Sequence, residues 1–343
     1  MEPLRAKAEL VAGGKDFATG LLIDLVEALR HLAEGELLAL RAPLEVTADL
    51  ERWARFTGNA MVAATAENGE IRHVLRKGPL PADEPGLPIG SRVWLYANFD
   101  CNLACDYCCV RSSPRAARKA LGLATIQRVA REAPSAGVRE LFVTGGEPFL
   151  REDIGEVLFA CAEALPTTVL TNGMLFEGKR REALRGLPRD RLILQISLDS
   201  PTAALHDAHR GVGAWDKARR GIAIARGEGF RVRLASTVNN EQAAEDFRLF
   251  LDGEGIAEED RVIRRVALRG FAEEGVALTR ADLVPEVTLT ADGIWWHPVG
   301  ATDDDFFVTG QPFPLTSAIE AVRLAWEEER RFATALANVF RCA

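Results

Sequence analysis

Long apolar segments are missing from this sequence of 343 residues. No run of about eighteen apolar residues is present, so no membrane-spanning helix is expected. A basic excess is missing too, since 42 Lys and Arg stand against 50 Asp and Glu, a formal net charge of -8. That balance argues against nonspecific binding to nucleic acid, which needs a basic surface. Internal repeats and low-complexity stretches are also absent.

Cysteine is scarce, with 6 in the chain, and its distribution argues against two common uses. The chain has no secretory hydrophobic region that would place it in an oxidising compartment, so a disulfide framework is not expected. A structural zinc site usually takes four ligands in two separated pairs, and no second Cys-x-x-Cys pair is present. Reduced cysteines in a cytoplasmic protein fit this distribution better.

Three cysteines are grouped in Phe99-Asp-Cys-Asn-Leu-Ala-Cys-Asp-Tyr-Cys-Cys-Val110, directly after an apolar strand. They are Cys101, Cys105 and Cys108. A cubane iron-sulfur cluster has four irons, so three thiolate ligands leave one iron open to a substrate or cofactor. We therefore predict that the three cysteines hold one [4Fe-4S] cluster, with zinc as the alternative.

The spacing Cys-x3-Cys-x2-Cys, with Tyr107 before the third cysteine, resembles the signature of the radical SAM enzymes. The resemblance covers roughly Ser91 to Gly270. It implies that S-adenosylmethionine (SAM) binds the open iron, and that one electron from the reduced cluster cleaves it to a 5′-deoxyadenosyl radical. It also implies that Tyr107 lies near the adenine.

A second motif, Gly-Gly-Glu-Pro, ends the next predicted strand. An apolar run that stops at two glycines indicates a buried strand and a tight turn, where backbone carbonyls can approach a ligand. By itself the motif could be an ordinary strand-to-helix turn. At this spacing after the cysteines it resembles the family's loop that accepts hydrogen bonds from the SAM ammonium group. The resemblance assigns that role to Gly145, Gly146, Glu147 and Pro148.

Four later residues are assigned to SAM by the same resemblance. Asn172, Ser197 and Asp199 follow predicted strands, at positions where the family contacts the ribose and the methionyl carboxylate. Arg210 lies in His206-Asp-Ala-His-Arg-Gly211 and could pair with the SAM carboxylate, because a guanidinium fork suits that geometry. The alternative for Arg210 is a surface salt bridge at a helix cap.

Strand-like and helix-like segments alternate through the central chain, which predicts a parallel sheet. Right-handed crossovers would curl such a sheet into a partial or full barrel, with active residues at the carboxyl ends of the strands. A doubly wound sheet competes, but no Gly-x-Gly-x-x-Gly follows the first strand. The resemblance implies an α/β fold with a partial (β/α)6 TIM-like barrel. The predicted strands are Val93 to Ala97, Glu140 to Thr144, Thr167 to Thr171, Leu192 to Leu198, Arg231 to Val238 and Val262 to Leu268.

Residues 1–77 predict a separate, small α/β sandwich domain. Helices are expected over Leu22 to Leu32 and Ala48 to Phe56, with a strand at Leu37 to Leu40 and a hairpin turning at Asn68-Gly69. The domain resembles the TusA/SirA-like sulfur carriers over about sixty residues. The carrier's Cys-Pro-x-Pro motif is replaced by Ala18-Thr-Gly-Leu21, so no persulfide is expected there. The domain is either a docking or regulatory module or a fold match without a link to sulfur.

Residues 78–90, rich in Pro and Gly, are interpreted as a linker. Residues 91–280 are the predicted core, and residues 281–343 an extension with a hairpin and a helix that could cap the barrel. Trp295, Trp296 and His297 would contact a substrate if the extension covers the barrel. Packing within a capping hairpin is the alternative for the tryptophans.

The remaining cysteines do not form the paired motifs of an auxiliary cluster, so one cluster is predicted. Cys109 is expected to be a small packing residue and Cys161 a core residue. Cys342 could be a catalytic thiol, a cluster ligand or a free surface thiol. Cys342 and His297 are the candidate catalytic residues.

These observations predict a radical SAM enzyme that abstracts hydrogen from an unidentified small-molecule or peptide substrate. The N-terminal domain favours sulfur-linked or cofactor metabolism. Modification of a peptide or natural product is a second hypothesis, and a noncatalytic SAM- or cluster-binding regulatory protein a third. A reductant such as ferredoxin or flavodoxin would supply electrons, and a protein partner could dock on the N-terminal domain.

Overall fold

The computed structural model describes residues 4–17, 20–30, 32–56, 59–67, 69–78 and 88–339. Cys342, Asn68 and most of the predicted linker lie outside these ranges. The chain divides into two compact units, a smaller one formed mainly before residue 87 and a larger one over residues 87–336. Within the described ranges, no helix is long and apolar enough to cross a membrane.

The smaller unit is a four-stranded sheet in the order β1-β2-β4-β3, with two helices that share its apolar core. Strand β1 runs parallel to β2, and the other pairs are antiparallel. The helices and the hairpin lie where the sequence predicts them, but the short edge strand β1 was not predicted. The elements are β1 (Ala8–Val11), α1 (Leu21–Arg30), β2 (Leu37–Ala42), α2 (Thr47–Phe56), β3 (Ala60–Glu67) and β4 (Glu70–Arg76).

The larger unit contains the alternation of strands and helices that the sequence predicts. Six strands pair in parallel in chain order, from β5 to β10. Strand β10 is shorter than predicted, because Ala267 leaves the sheet and bridges to Val276. The elements are β5 (Arg92–Asn98), α3 (Leu123–Glu132), β6 (Glu140–Gly145), α4 (Ile154–Ala164), β7 (Thr167–Thr171), α5 (Gly178–Arg185), β8 (Leu192–Ser197), α6 (Ala203–Arg210), α7 (Ala214–Gly227), β9 (Arg231–Val238), α8 (Glu241–Gly253) and β10 (Arg261–Arg265).

The two faces of this sheet differ in chemistry. One face is aliphatic and packs against the helices, for example Leu95, Val169 and Leu194 against Val157 and Phe247. Because side chains alternate along a strand, the residues between them share the opposite face, here called the inner face. By register the inner face carries Trp94, Tyr96, Phe142, Thr144, Leu170, Gln195, Ser197, Arg233, Thr237 and Arg264.

The sheet curls so that its first and last parallel strands approach each other. In a flat sheet β5 and β10 would lie about 24 Å apart, because each strand adds roughly 4.8 Å. Instead, Arg264 of β10 is close enough for its charge to act on Tyr96 of β5. The backbone N–H of Phe271, after β10, donates to the carbonyl oxygen of Cys108, after β5, at 3.0 Å. The parallel strands therefore enclose the inner face.

The C-terminal extension continues the same sheet beyond β5. Strand β11 (Val287–Thr290) runs parallel to β5 and is followed by the antiparallel strands β12 (Gly293–Trp295) and β13 (Phe307–Thr309). Helix α9 (Leu315–Val339) ends the described chain. Trp295 and Trp296 pack with Phe306 in a small core of the extension, so they are packing residues and not the substrate contacts of the other hypothesis.

Candidate functional site

The three grouped cysteines lie in a loop that leaves the carboxyl end of β5. Two successive turns shape the loop, with the N–H of Cys108 donating to the carbonyl of Cys105 and that of Arg111 to the carbonyl of Cys108, both at 3.2 Å. Arg111 adopts φ 54°, a left-handed conformation at the second turn. Cys101 is buried, and Cys105 and Cys108 are partly buried.

The chemistry of this loop fits an iron-sulfur cluster better than a single metal ion. Among the described residues, no group of three His, Cys, Asp or Glu side chains converges closely enough to hold one ion. A zinc ion needs such convergence, whereas a cubane takes each thiolate on a different iron. Backbone N–H groups of Leu103 and Ser112 donate to the sulfurs of Cys101 and Cys108, at 3.4 and 3.3 Å. Hydrogen bonds of this kind tune cluster-bound thiolates.

Burial disfavours the deprotonated, charged form of Cys101 and Cys105 unless a positive charge lies nearby. It raises the pKa of the Cys101 thiol to about 12 and that of Cys105 to about 11. The iron of a cluster would supply the positive charge that keeps them deprotonated. Burial also raises the pKa of Cys109 and Cys161 to about 12. Cys161 is a core residue of α4 as predicted, and Cys109 packs beside Tyr96 and Phe99.

The Gly-Gly-Glu-Pro segment lies against the start of the cysteine loop. Its glycines allow close packing of two backbones, because a Cβ on Gly145 would lie 2.3 Å from the carbonyl oxygen of Asn98 and one on Gly146 would lie 2.2 Å from that of Asp100. The N–H groups of Gly146 and Glu147 donate to these same two carbonyls, both at 3.0 Å. The segment therefore positions the backbone that carries Cys101.

Glu147 itself is fully buried and its carboxylate is already bound. Oε1 accepts hydrogen bonds from the N–H of Phe149 at 3.0 Å and the hydroxyl of Thr171 at 2.8 Å, and Oε2 accepts from the N–H of Asn172 at 2.8 Å. Pro148 is buried beside it. This carboxylate joins the ends of β6 and β7 and has no free oxygen directed to a ligand, a role that the sequence motif did not reveal.

Asp199 and Arg210 form a buried ion pair instead of the surface salt bridge considered as the alternative. Their side chains are 3% and 10% exposed, and Nε of Arg210 donates to Asp199 at 2.5 Å. The Tyr107 hydroxyl also donates to Asp199, and the guanidinium lies over the Tyr107 ring. The pKa of Asp199 is lowered, because Arg210 and the hydrogen bonds outweigh burial. Tyr107, Asp199 and Arg210 are thus brought together beside the cysteine loop.

Asn172 and Ser197 lie at the ends of adjacent strands, as the sequence predicts. The side chain of Asn172 donates to Asn102, inside the cysteine loop, at 2.8 Å. Asn172 is therefore in contact with the cysteine loop. Ser197 is partly buried on the inner face.

His297 lies close enough to Arg264 for the arginine charge to act on its ring. Nδ1 of His297 accepts a hydrogen bond from the N–H of Val299 at 3.1 Å, so the neutral ring carries its proton on Nε2. Burial, then the Arg264 charge, lowers the pKa of His297 to about 4. Arg264 also acts on Cys109. The sequence analysis proposed His297 but did not single out Arg233 or Arg264.

Residues 98–252 match the model of the radical SAM superfamily. A [4Fe-4S] cluster is characteristic of the superfamily, and the homologues of the domain are enzymes. The match spans the cysteine loop, the Gly-Gly-Glu-Pro segment and the Asp199–Arg210 pair.

Three relatives show the range of similar proteins. The chain is 33% identical over 153 residues to the antilisterial bacteriocin subtilosin biosynthesis protein AlbA of Bacillus subtilis, covering 42% of this chain and 33% of AlbA. It is 29% identical to the AdoMet-dependent heme synthase of Oleidesulfovibrio alaskensis, covering 46% and 41% of the two chains. It is 32% identical to the GTP 3′,8-cyclase of Geobacter sulfurreducens, covering 44% and 49%. The chain thus matches a third to a half of each relative's length.

Among solved structures, SuiB of Streptococcus suis bound to S-adenosylmethionine is similar with a TM-score of 0.47 and 22% identity. The similarity covers 57% of this chain and 45% of SuiB.

Proposed function

We propose that this protein is a radical SAM enzyme in which Cys101, Cys105 and Cys108 hold one [4Fe-4S] cluster. The observation that carries the proposal is the three-cysteine loop, with N–H groups directed at two of its sulfurs, inside a segment that matches the superfamily. When bound, the cluster would supply the electron for reductive cleavage of SAM, the chemistry by which radical SAM enzymes remove hydrogen from a substrate.

The residues around the loop would bind SAM. In this proposal Asn172 and Ser197 contact its ribose and carboxylate, and the partly buried ring of Tyr107 contacts its adenine. Arg210 is paired with Asp199, and in this arrangement it positions Tyr107 and the end of β8. It would bind SAM directly only if SAM replaced Asp199 as its partner. The Gly-Gly-Glu-Pro backbone packs against the start of the cysteine loop and supports it.

Anaerobic reconstitution tests this proposal. The protein is loaded with iron and sulfide and reduced with dithionite in the presence of SAM, and 5′-deoxyadenosine is measured by chromatography. Wild type should form it and Cys105→Ala should not, whereas Cys109→Ala, the adjacent cysteine, should behave like wild type. A fully loaded wild-type protein that leaves SAM intact would support a noncatalytic regulatory role instead.

The substrate hypotheses remain those of the sequence. The names of the relatives include bacteriocin biosynthesis, heme synthesis and GTP cyclisation, so they favour neither peptide modification nor cofactor metabolism. The smaller unit, in our proposal, is a TusA-like module without the carrier cysteine that docks a protein partner such as ferredoxin or flavodoxin. A leader peptide that stimulates turnover would favour the peptide hypothesis.

A further inference from the structure

Two arginines on the inner face have no carboxylate partner among the described residues. Arg233 lies on β9 and is partly buried, and its Nε is buried without any hydrogen-bond partner. Arg264 lies on β10, and its one hydrogen bond is a long contact of 3.5 Å from Nε to the hydroxyl of Thr237. Arg264 is exposed to solvent. The buried Nε of Arg233 would normally have a partner, because removing an unpaired charge from water is unfavourable.

Other charges near the sheet already have ion-pair partners. At the amino end of the inner face, Glu140 accepts from Thr168 at 3.0 Å, and Arg92 lies 3.8 Å from Glu140 and 3.6 Å from Glu286. At the carboxyl end, Asp199 is neutralised by Arg210. None of these carboxylates is an ion-pair partner for Arg233, which is partly buried, or for Arg264, which is exposed.

The neighbours of the two arginines are neutral hydrogen-bonding groups. By register Gln195 lies beside Arg233, and Thr237 beside Arg264. Arg264 is also near His297, whose proton is on Nε2 and which can therefore donate. Donors without nearby carboxylates make a surface that suits an anion, since carboxylates and phosphates accept paired hydrogen bonds from guanidinium.

We propose that Arg233 and Arg264 bind an anionic substrate, which enters the inner face with a carboxylate or phosphate group. That the bound anion is a substrate rests on the proposed function. The anion site itself does not depend on SAM cleavage. Arg264 lies near the carboxyl ends of the strands, where its charge acts on Cys109 of the cysteine loop. Arg233 lies farther along the inner face, towards the amino end of its strand. The substrate would thus be held by its charged part within the sheet while its reacting carbon faces SAM.

The test uses reconstituted protein saturated with SAM, so that the carboxylate of SAM is already bound. Succinate and inorganic phosphate are titrated separately by calorimetry, and their relative affinities distinguish a carboxylate from a phosphate site. Binding should weaken about tenfold or more in Arg264→Gln and in Arg233→Gln. Arg264→Lys, which keeps the charge, should retain part of the affinity. Arg265→Gln is the matched control, because the next residue points to the opposite face and donates to the carbonyl of Asn239.

Two results would overturn the inference. One is that wild type and both glutamine variants bind the anions equally, or that none of them binds, while circular dichroism shows that all are folded. The other is a loss of SAM affinity in these variants with anion binding intact, which would assign the arginines to the SAM carboxylate. Formation of 5′-deoxyadenosine is measured in parallel. Anion binding without it would leave the site standing and reject the proposed function.

Discussion

At the scale of single residues, buried polar groups organise the carboxyl ends of the strands. Glu147 accepts three hydrogen bonds from two strands' ends, and His206 accepts one from the N–H of Asp199 at 3.1 Å. Such groups stabilise a structure only while every donor and acceptor is matched. Replacing any one of these groups should therefore change the free energy of unfolding by a measurable amount.

Replacing Glu147 with Gln should destabilise the protein by about 1–3 kcal/mol. The change keeps the shape but turns one acceptor oxygen into an NH2 group, which faces N–H or O–H donors in the buried site. Urea unfolding of the protein without cluster measures the difference. The control is Glu152→Gln, an exposed residue nearby. Equal unfolding midpoints for the two variants would contradict the role given to Glu147.

Acid should destabilise the protein in part through His206. This ring is 1% exposed, and burial, then the charge of Arg210, lowers its pKa from 6.5 to about 4. Between those values the unfolded chain binds a proton that the folded chain does not, so stability is present above pH 6.5 and is lost as the pH falls towards 4. At about 1.4 kcal/mol per pKa unit, the loss is roughly 3 to 4 kcal/mol.

The measurement is urea unfolding of wild type and His206→Asn at about pH 7 and about pH 5. Asn keeps an acceptor near the N–H of Asp199 but does not titrate, so its stability should change less between the two pH values. The same pH dependence in His206→Asn and wild type would show that other groups cause the acid effect.

At the scale of elements, the segment after β10 supports the cysteine loop from the far edge of the sheet. Gly270 adopts φ +67°, and a Cβ there would lie 2.1 Å from the carbonyl oxygen of Cys108. Arg269 fixes the segment through an ion pair of 2.6 Å with Asp303, and its guanidinium lies over Phe306. The loop is thus held between the Gly-Gly-Glu-Pro segment on one side and this segment on the other.

Gly270→Ala should therefore displace the cysteine loop. The side chain meets backbone atoms that cannot rotate away, and the left-handed conformation is itself unfavourable for alanine. We expect clearly less iron per chain after reconstitution, with circular dichroism like that of wild type. Gly227→Ala is the control, because no atom lies within 4 Å of its Cβ position and its φ is ordinary. Full iron loading of Gly270→Ala would contradict the supporting role.

At the scale of the whole molecule, all described candidate residues lie in the larger unit. The cysteine loop, Glu147, Arg210, Arg233, Arg264 and His297 fall within residues 87–336, which have their own apolar core. The smaller unit has a separate core around Leu25, Leu40 and Leu50. The chemistry and the partner docking that we propose can therefore be separated.

Removal of residues 1–86 should leave cluster loading and dithionite-driven formation of 5′-deoxyadenosine near the wild-type level. If the smaller unit docks a protein reductant, the rate with reduced flavodoxin should fall severalfold in the shortened chain. A shortened chain that folds but loses the dithionite-driven reaction would show that the smaller unit takes part in the chemistry. Equal flavodoxin rates would reject the docking role.

How far the sequence could predict this protein depends on the range of each interaction. Strands and helices of the larger unit follow from local alternation, and β7 has the predicted bounds. Strand β10 ends early because Ala267 bridges to Val276, a contact that no periodicity shows. The second roles of Glu147 and Gly270 were missed for the same reason. Their partners lie at other strand ends.

The sequence by itself determined the three-cysteine loop, the alternation that forms a parallel sheet and the family resemblance, because these are features of contiguous residues. Only the tertiary structure decided that Arg210 is buried against Asp199, that the tryptophans of the extension pack together, and that Arg233 and Arg264 share the inner face with no ion-pair partner among the described residues. Charge pairing and burial depend on which distant strands become neighbours. The curling of the sheet decides which strands become neighbours, because it brings β10 and the segment after it against β5 and the cysteine loop.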